Sequence, residues 1–121
     1  MLRAIRQSLW VALLVLASPA SGVVVFETTS PYHNIRVIDD RGIRTLSFDG
    51  SMETRMSLQQ PLLGQFEYTE YFHMPWLWNR NITNVLMMGL GGASIQRSYR
   101  YYYPKVKIET VEIDSTVLEV A

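Results

Sequence analysis

The sequence predicts an α/β protein in which a small N-terminal antiparallel β segment leads into the start of a Rossmann-like parallel sheet that is incomplete at residue 121. Three observations carry this. Val85 to Met88 is a continuous apolar run ending in Gly89-Leu90-Gly91-Gly92, the pattern of a parallel strand covered on both faces. From Ala93 to Tyr103, Ile95, Tyr99, Tyr102 and Tyr103 fall at i, i+4, i+7 and i+8, with Arg97 and Arg100 elsewhere, and Pro104 stops the run. Val106 to Ile113 then reads as a second strand ending in acid, which completes a strand, helix, strand unit.

Three segments follow in chain order. Residues 1–22 place Arg3 and Arg6 before an apolar stretch from Leu9 to Ala17 and the small residues of Ser18-Pro19-Ala20-Ser21-Gly22. That order of charged, apolar and small residues describes a secretory signal with cleavage expected after Ala20, hence an exported protein. Leu9 to Phe26 is also uncharged for 18 residues, just long enough for an uncleaved membrane anchor, so membrane contact through residues 9–26 is the competing reading.

Residues 23–60 form the β-hairpin segment. Val23 to Glu27 is a β-branched run, Asn34 to Ile38 alternates, and Asp39-Asp40-Arg41-Gly42 and Asp49-Gly50 turn the chain on either side of Ile43 to Phe48. Two hairpins are marginal alone in water, so they require a packing partner in the chain or a second copy, a homo-oligomer.

Residues 61–121 hold the truncated nucleoside-binding domain. A helix is expected from Leu62 to about Trp78, with Leu62, Phe66, Thr69 and His73 on one stripe and Pro75 kinking or restarting it. Tyr68, Tyr71, Phe72, Trp76 and Trp78 read first as core packing, and Glu67 and Glu70 as solvated helix acids. Past the second strand, Ser115 is the expected N-cap of a further helix.

Composition limits the chemistry. Formal net charge is zero with a pI near 6.7, which provides no electrostatic case for nucleic acid. The absence of cysteine excludes disulfides and thiolate metal sites, and two histidines make a zinc site improbable. The glycine turn points instead to a nucleoside. Gly89 and Gly91 permit a tight turn and close backbone approach to a ligand, and the helix start offers unpaired amides. Glu112, 20 residues after Gly92, can accept hydrogen bonds from both hydroxyls of a ribose. Because Ser94 stands where the third glycine of a dinucleotide fingerprint falls, an adenosyl-sulfur compound is favoured over a pyrophosphate-bridged cofactor.

With these motifs placed, Ser30 to Ala121 resembles the N-terminal part of the spermidine synthase family, the polyamine aminopropyltransferases. Phe48-Asp49-Gly50, then Tyr68-Thr69-Glu70 with His73 and Pro75, then Val85 to Gly92 leading to Val111-Glu112-Ile113-Asp114 carry the resemblance. It implies a small β domain before a methyltransferase-type Rossmann domain, with decarboxylated S-adenosylmethionine as co-substrate and a polyamine as acceptor. It further implies that Glu112 holds the ribose, that Gly89 and Gly91, followed by Gly92, line the pocket, and that Tyr68 sits near the donor or amine site. Departures are specific. Gly92 stands where the family has an acid that binds the aminopropyl amine, Glu53 replaces a glutamine, and Thr69 replaces the middle of a Tyr-His-Glu or Tyr-Gln-Glu triplet. The family's catalytic aspartate lies on a later strand, so no catalytic residue is assigned within this chain, which reads as an N-terminal fragment or truncated product. A non-catalytic binding protein of the same fold and an S-adenosylmethionine-dependent methyltransferase are the alternative functions. Gly92→Asp is expected to favour a cationic donor.

Processing is directly measurable: the intact mass of the expressed protein should show loss of residues 1–20, whereas a retained Met1 in a membrane fraction would mean an anchor.

Overall fold

A computed structural model describes residues 22–121 of the chain. The expected leader therefore lies outside the described residues apart from Gly22. Among those described, no helix is long and apolar enough to cross a membrane.

The first half is a four-stranded antiparallel meander in the order β1 (Val23–Thr29), β2 (Asn34–Asp40), β3 (Ile43–Phe48) and β4 (Ser51–Ser57). Its two tightest turns follow from residue chemistry. Arg41-Gly42 has φ of 46° and 79°, and Asp49-Gly50 has 52° and 87°. Positive φ at both central residues is the turn whose twist matches that of the flanking strands, and glycine takes the second position without penalty. Asp49 offsets its own left-handed backbone by accepting the Asn34 amide at 2.9 Å, while its other oxygen lies 3.0 Å from His33 Nδ1.

The second half pairs β5 (Asn84–Met88) with β6 (Lys107–Val111) in parallel, with α3 (Ser94–Tyr102) between them and α4 (Ser115–Val120) after them. Val85 to Met88 read as a strand covered on both faces, and it is not. Val85 and Met87 are drawn inward, whereas Leu86 and Met88 are 63% and 78% exposed. One crossover helix can cover only one side of a sheet. Within α3 the hidden row follows i+4 spacing through Ile95, Tyr99 and Tyr103, so Tyr102, expected on that face, stands 56% exposed and Ser98 is buried beside Tyr99.

The long helix expected from Leu62 to Trp78 does not form. In its place are two single turns, α1 (Tyr68–Tyr71) and α2 (Pro75–Trp78). Gly64 bridges to Met56 of β4, and a Cβ there would lie 1.9 Å from Thr69 Oγ1, so the chain is committed to a tight extended approach where a helix would need side-chain room. Pro75 then restarts the helix as the first residue of α2. With so little helix, the aromatic residues cannot all face inward. Tyr68, Tyr71, Phe72 and Trp78 are exposed, while Trp76 stacks on Tyr103 with ring centroids 3.8 Å apart.

The two halves join through an apolar cluster and a polar seam. Ile35, Val37 and Leu46 of the meander pack with Val117 of α4, and Phe48, Leu90 and Val120 close around them. Alongside, Asp114 is 1% exposed. It, not the expected Ser115, caps α4 by accepting the Thr116 amide at 2.9 Å, and it takes a 2.5 Å hydrogen bond from Ser30 Oγ. Ser30 Oγ in turn accepts the amides of Tyr32 and His33. A buried carboxylate is tolerable only when so saturated.

Burial raises the pKa of the Asp114 carboxyl, but the hydrogen bonds from Ser30 and Thr116, with the charge of His33, outweigh it and leave it below the ordinary carboxylate value. Asp49 is lowered likewise, first by the Asn34 amide and then by His33. A depressed folded pKa contributes stability above the unfolded value of about 3.9 and loses it as pH falls through the folded value. The melting temperature should accordingly drop on acidification below the unfolded carboxylate value of about 3.9. Asp114→Asn should melt lower at neutral pH and show a shallower acid drop; an unchanged profile would assign the acid loss to other carboxylates.

Candidate functional site

The loop after β5 owes its shape to its glycines. Gly89 and Gly91 have φ of 89° and 54°, and Gly89 donates its amide to Val111 O at 2.7 Å, extending the parallel pairing into the turn. A side chain would be strained at either position. Ala93, just before α3, has φ of 56°, a left-handed conformation uncommon for a residue with a Cβ. The loop is therefore held in its path by its surroundings.

Those surroundings begin with Glu112, past the end of β6. Its Oε2 accepts the Leu90 amide at 2.8 Å and its Oε1 accepts the Asp114 amide at 3.0 Å. One carboxylate thus ties the glycine loop to the start of α4. On the other side of the loop, the Gly92 amide donates to Thr54 Oγ1 of β4 at 2.9 Å. From α3, Gln96 Nε2 reaches Gly89 O at 3.2 Å and Arg97 Nη2 reaches Gly92 O at 3.3 Å. Backbone groups that a turn would leave unpaired are satisfied by neighbours from three elements.

Between this loop, β4 and the segment of α1 and α2 lies a cavity of about 950 Å³, at the upper end of the range for small-molecule sites. It is bordered by Tyr68, Gly89, Gly91 and Glu112, so four of the five residues selected from sequence share one space. Gly92 does not border it. It lies instead along a smaller depression of about 200 Å³ between the meander and the end of α4. A Cβ at Gly92 would come within 2.8 Å of Thr54 Cγ2, so Gly92→Asp cannot simply add an acid to the cavity, as expected above, without pushing the loop off β4.

Among the lining residues not selected as site residues are Phe48, Glu53, Gln96 and Tyr99. Tyr99 is 2% exposed, and its hydroxyl donates to the Phe72 carbonyl; burial, and then neighbouring Tyr103, push its pKa up and keep it a donor. Glu53 had a sequence signal, since it stands where the family resemblance expects glutamine. The others reach the cavity through tertiary packing that periodicity does not encode.

If Glu112 clamps the loop, its loss should be visible without any ligand. Glu112→Ala should speed hydrogen exchange at the Leu90 and Asp114 amides by roughly tenfold or more, since hydrogen bonds to a charged acceptor contribute about 1.5 to 3 kcal/mol. Unchanged exchange at both amides would mean that the loop holds itself.

No protein-family model matches the chain. In sequence it is 30% identical to a polyamine aminopropyltransferase of Vibrio vulnificus (strain CMCP6), over 93% of this chain and 40% of that protein. In structure it matches the crystal structure of a probable spermidine synthase from Corynebacterium glutamicum ATCC 13032, with a TM-score of 0.65 and 19% identity, over 80% of this chain and 38% of that one. The chain thus spans about two fifths of the length of the relatives it matches. With the glycine turn, Glu112 and the β meander in the order the resemblance requires, the chain is similar in sequence and in fold to polyamine aminopropyltransferases of the spermidine synthase family over part of their length.

Proposed function

We propose that this chain carries the nucleoside-binding part of an aminopropyltransferase, taking decarboxylated S-adenosylmethionine or its product methylthioadenosine into the cavity beside Glu112, on the Rossmann-like unit formed by β5, α3 and β6. The observation that supports this best is the state of the Glu112 carboxylate. It borders the cavity and is oriented by two backbone amides. An ionised carboxylate has about four lone-pair positions, so two remain for the two hydroxyls of a ribose. Gly89 and Gly91, lacking side chains, let the ligand approach the loop backbone, and Tyr68, which borders the same cavity, offers a ring and a hydroxyl.

In the reaction proposed, an amine nitrogen of a polyamine attacks the aminopropyl carbon bonded to the sulfonium. A carbon–nitrogen bond forms, the carbon–sulfur bond breaks, and its electron pair stays on sulfur to give the neutral thioether methylthioadenosine. The attacking amine loses one proton, for which no acceptor is assigned among the residues of this chain. Its residues bind and orient the donor.

Calorimetric titration of the chain with methylthioadenosine should give saturable binding at one site. Glu112→Ala should weaken it at least about tenfold, because one charge-assisted hydrogen bond exceeds the roughly 1.4 kcal/mol that makes a decade of affinity. An affinity that Glu112→Ala leaves unchanged would move the nucleoside away from this carboxylate.

A further inference from the structure

The cavity holds a second carboxylate that the nucleoside contact leaves unused. Of its lining residues two are acidic, Glu112 and Glu53. Both oxygens of Glu112 already face backbone amides. Glu53 joins no ion pair among the described residues; Arg55 borders the same cavity but is not paired with it.

The position of Glu53 is set by an irregularity of the sheet. Leu46 pairs with Thr54 and the next residue of β3, Ser47, pairs with Met52, which leaves Glu53 as the extra residue of a bulge. A bulge bends its strand and re-aims the side chain that has no partner in the ladder. Here the re-aimed residue is at the cavity wall, one position before the Thr54 that holds the glycine loop.

The aromatic part of the wall suits a cation. Phe48, Phe66, Tyr68, Tyr71, Phe72 and Tyr99 border the same space. Aromatic faces attract ammonium and sulfonium groups, most strongly where water is excluded. A neutral ligand would take water from the Glu53 carboxylate and return nothing, whereas a cation restores its charge partner. Nor can the glycine loop provide the negative charge, since Gly92 is packed against Thr54 away from the cavity.

We infer that Glu53 is the specificity-determining carboxylate of this cavity: it binds the cationic end of a ligand whose nucleoside end lies at Glu112. This rests on the nucleoside reading above and adds the class of ligand that the site selects. The acid that the glycine loop lacks is provided from β4, at the residue the bulge turns inward.

The test compares two ligands and two proteins. Methylthioadenosine, which is neutral, and decarboxylated S-adenosylmethionine, which is cationic, are titrated into the unaltered chain and into Glu53→Gln, whose side chain has the same shape. The unaltered chain should prefer the cationic ligand by roughly tenfold or more, with the preference shrinking as salt is raised. Glu53→Gln should bind methylthioadenosine unchanged and lose the preference; Glu53→Asp should retain part of it. A preference that survives in Glu53→Gln, or none in the unaltered chain, overturns the inference while leaving the nucleoside site intact. Equal weakening of both ligands by Glu53→Gln also overturns it, by making Glu53 a structural wall residue. If neither ligand binds the unaltered chain, the nucleoside reading itself falls.

Discussion

Both oxygens of Glu112 are taken by backbone amides, Leu90 on one side and Asp114 on the other, and most of the site depends on that arrangement. The glycine loop has two residues with positive φ in its turn and Ala93 in the left-handed region at its end. Such a path holds only when its surroundings over-determine it. Glu112 from β6, Thr54 from β4 and Gln96 and Arg97 from α3 do so with directed hydrogen bonds. The same carboxylate positions the backbone of Asp114, whose side chain caps α4 and accepts from Ser30.

The meander is thereby part of the site and not an appendage to it. Its inner face provides Ile35, Val37 and Leu46 to the core with Val117, and its last strand provides Thr54 to the loop and Glu53 to the cavity. Because strand pairing fixes side-chain direction with period two, the bulge between Leu46 and Ser47 is what allows Glu53 and Thr54, adjacent in sequence, both to serve the same region. The similarity to polyamine aminopropyltransferases extends over this order of parts.

The segment between β4 and β5 shows a different balance. Its aromatic residues read as core from composition, yet Tyr68, Tyr71 and Phe72 border the cavity while remaining partly exposed. Trp76, Tyr99 and Tyr103 instead form a packed cluster, to which His73 contributes hydrogen bonds of 2.9 Å to Tyr103 Oη and Ser98 Oγ. Two short helices separated at Pro75 let neighbouring aromatic residues divide between these two tasks.

Local chemistry determined much of this protein from sequence alone. The turns at Arg41-Gly42 and Asp49-Gly50, the β5, α3, β6 order and the acid after β6 were legible because each depends on residues close in the chain: positive φ at glycine, apolar periodicity, proline as a stop. Tertiary structure decided the rest. The helix expected from Leu62 to Trp78 gave way to the pairing of Gly64 with Met56, Asp114 displaced Ser115 as the cap because Ser30 lies beside it, and Gly92 faced Thr54 instead of the cavity. Each of these turns on a contact between residues distant along the chain, and neither propensity nor spacing records which partner arrives there.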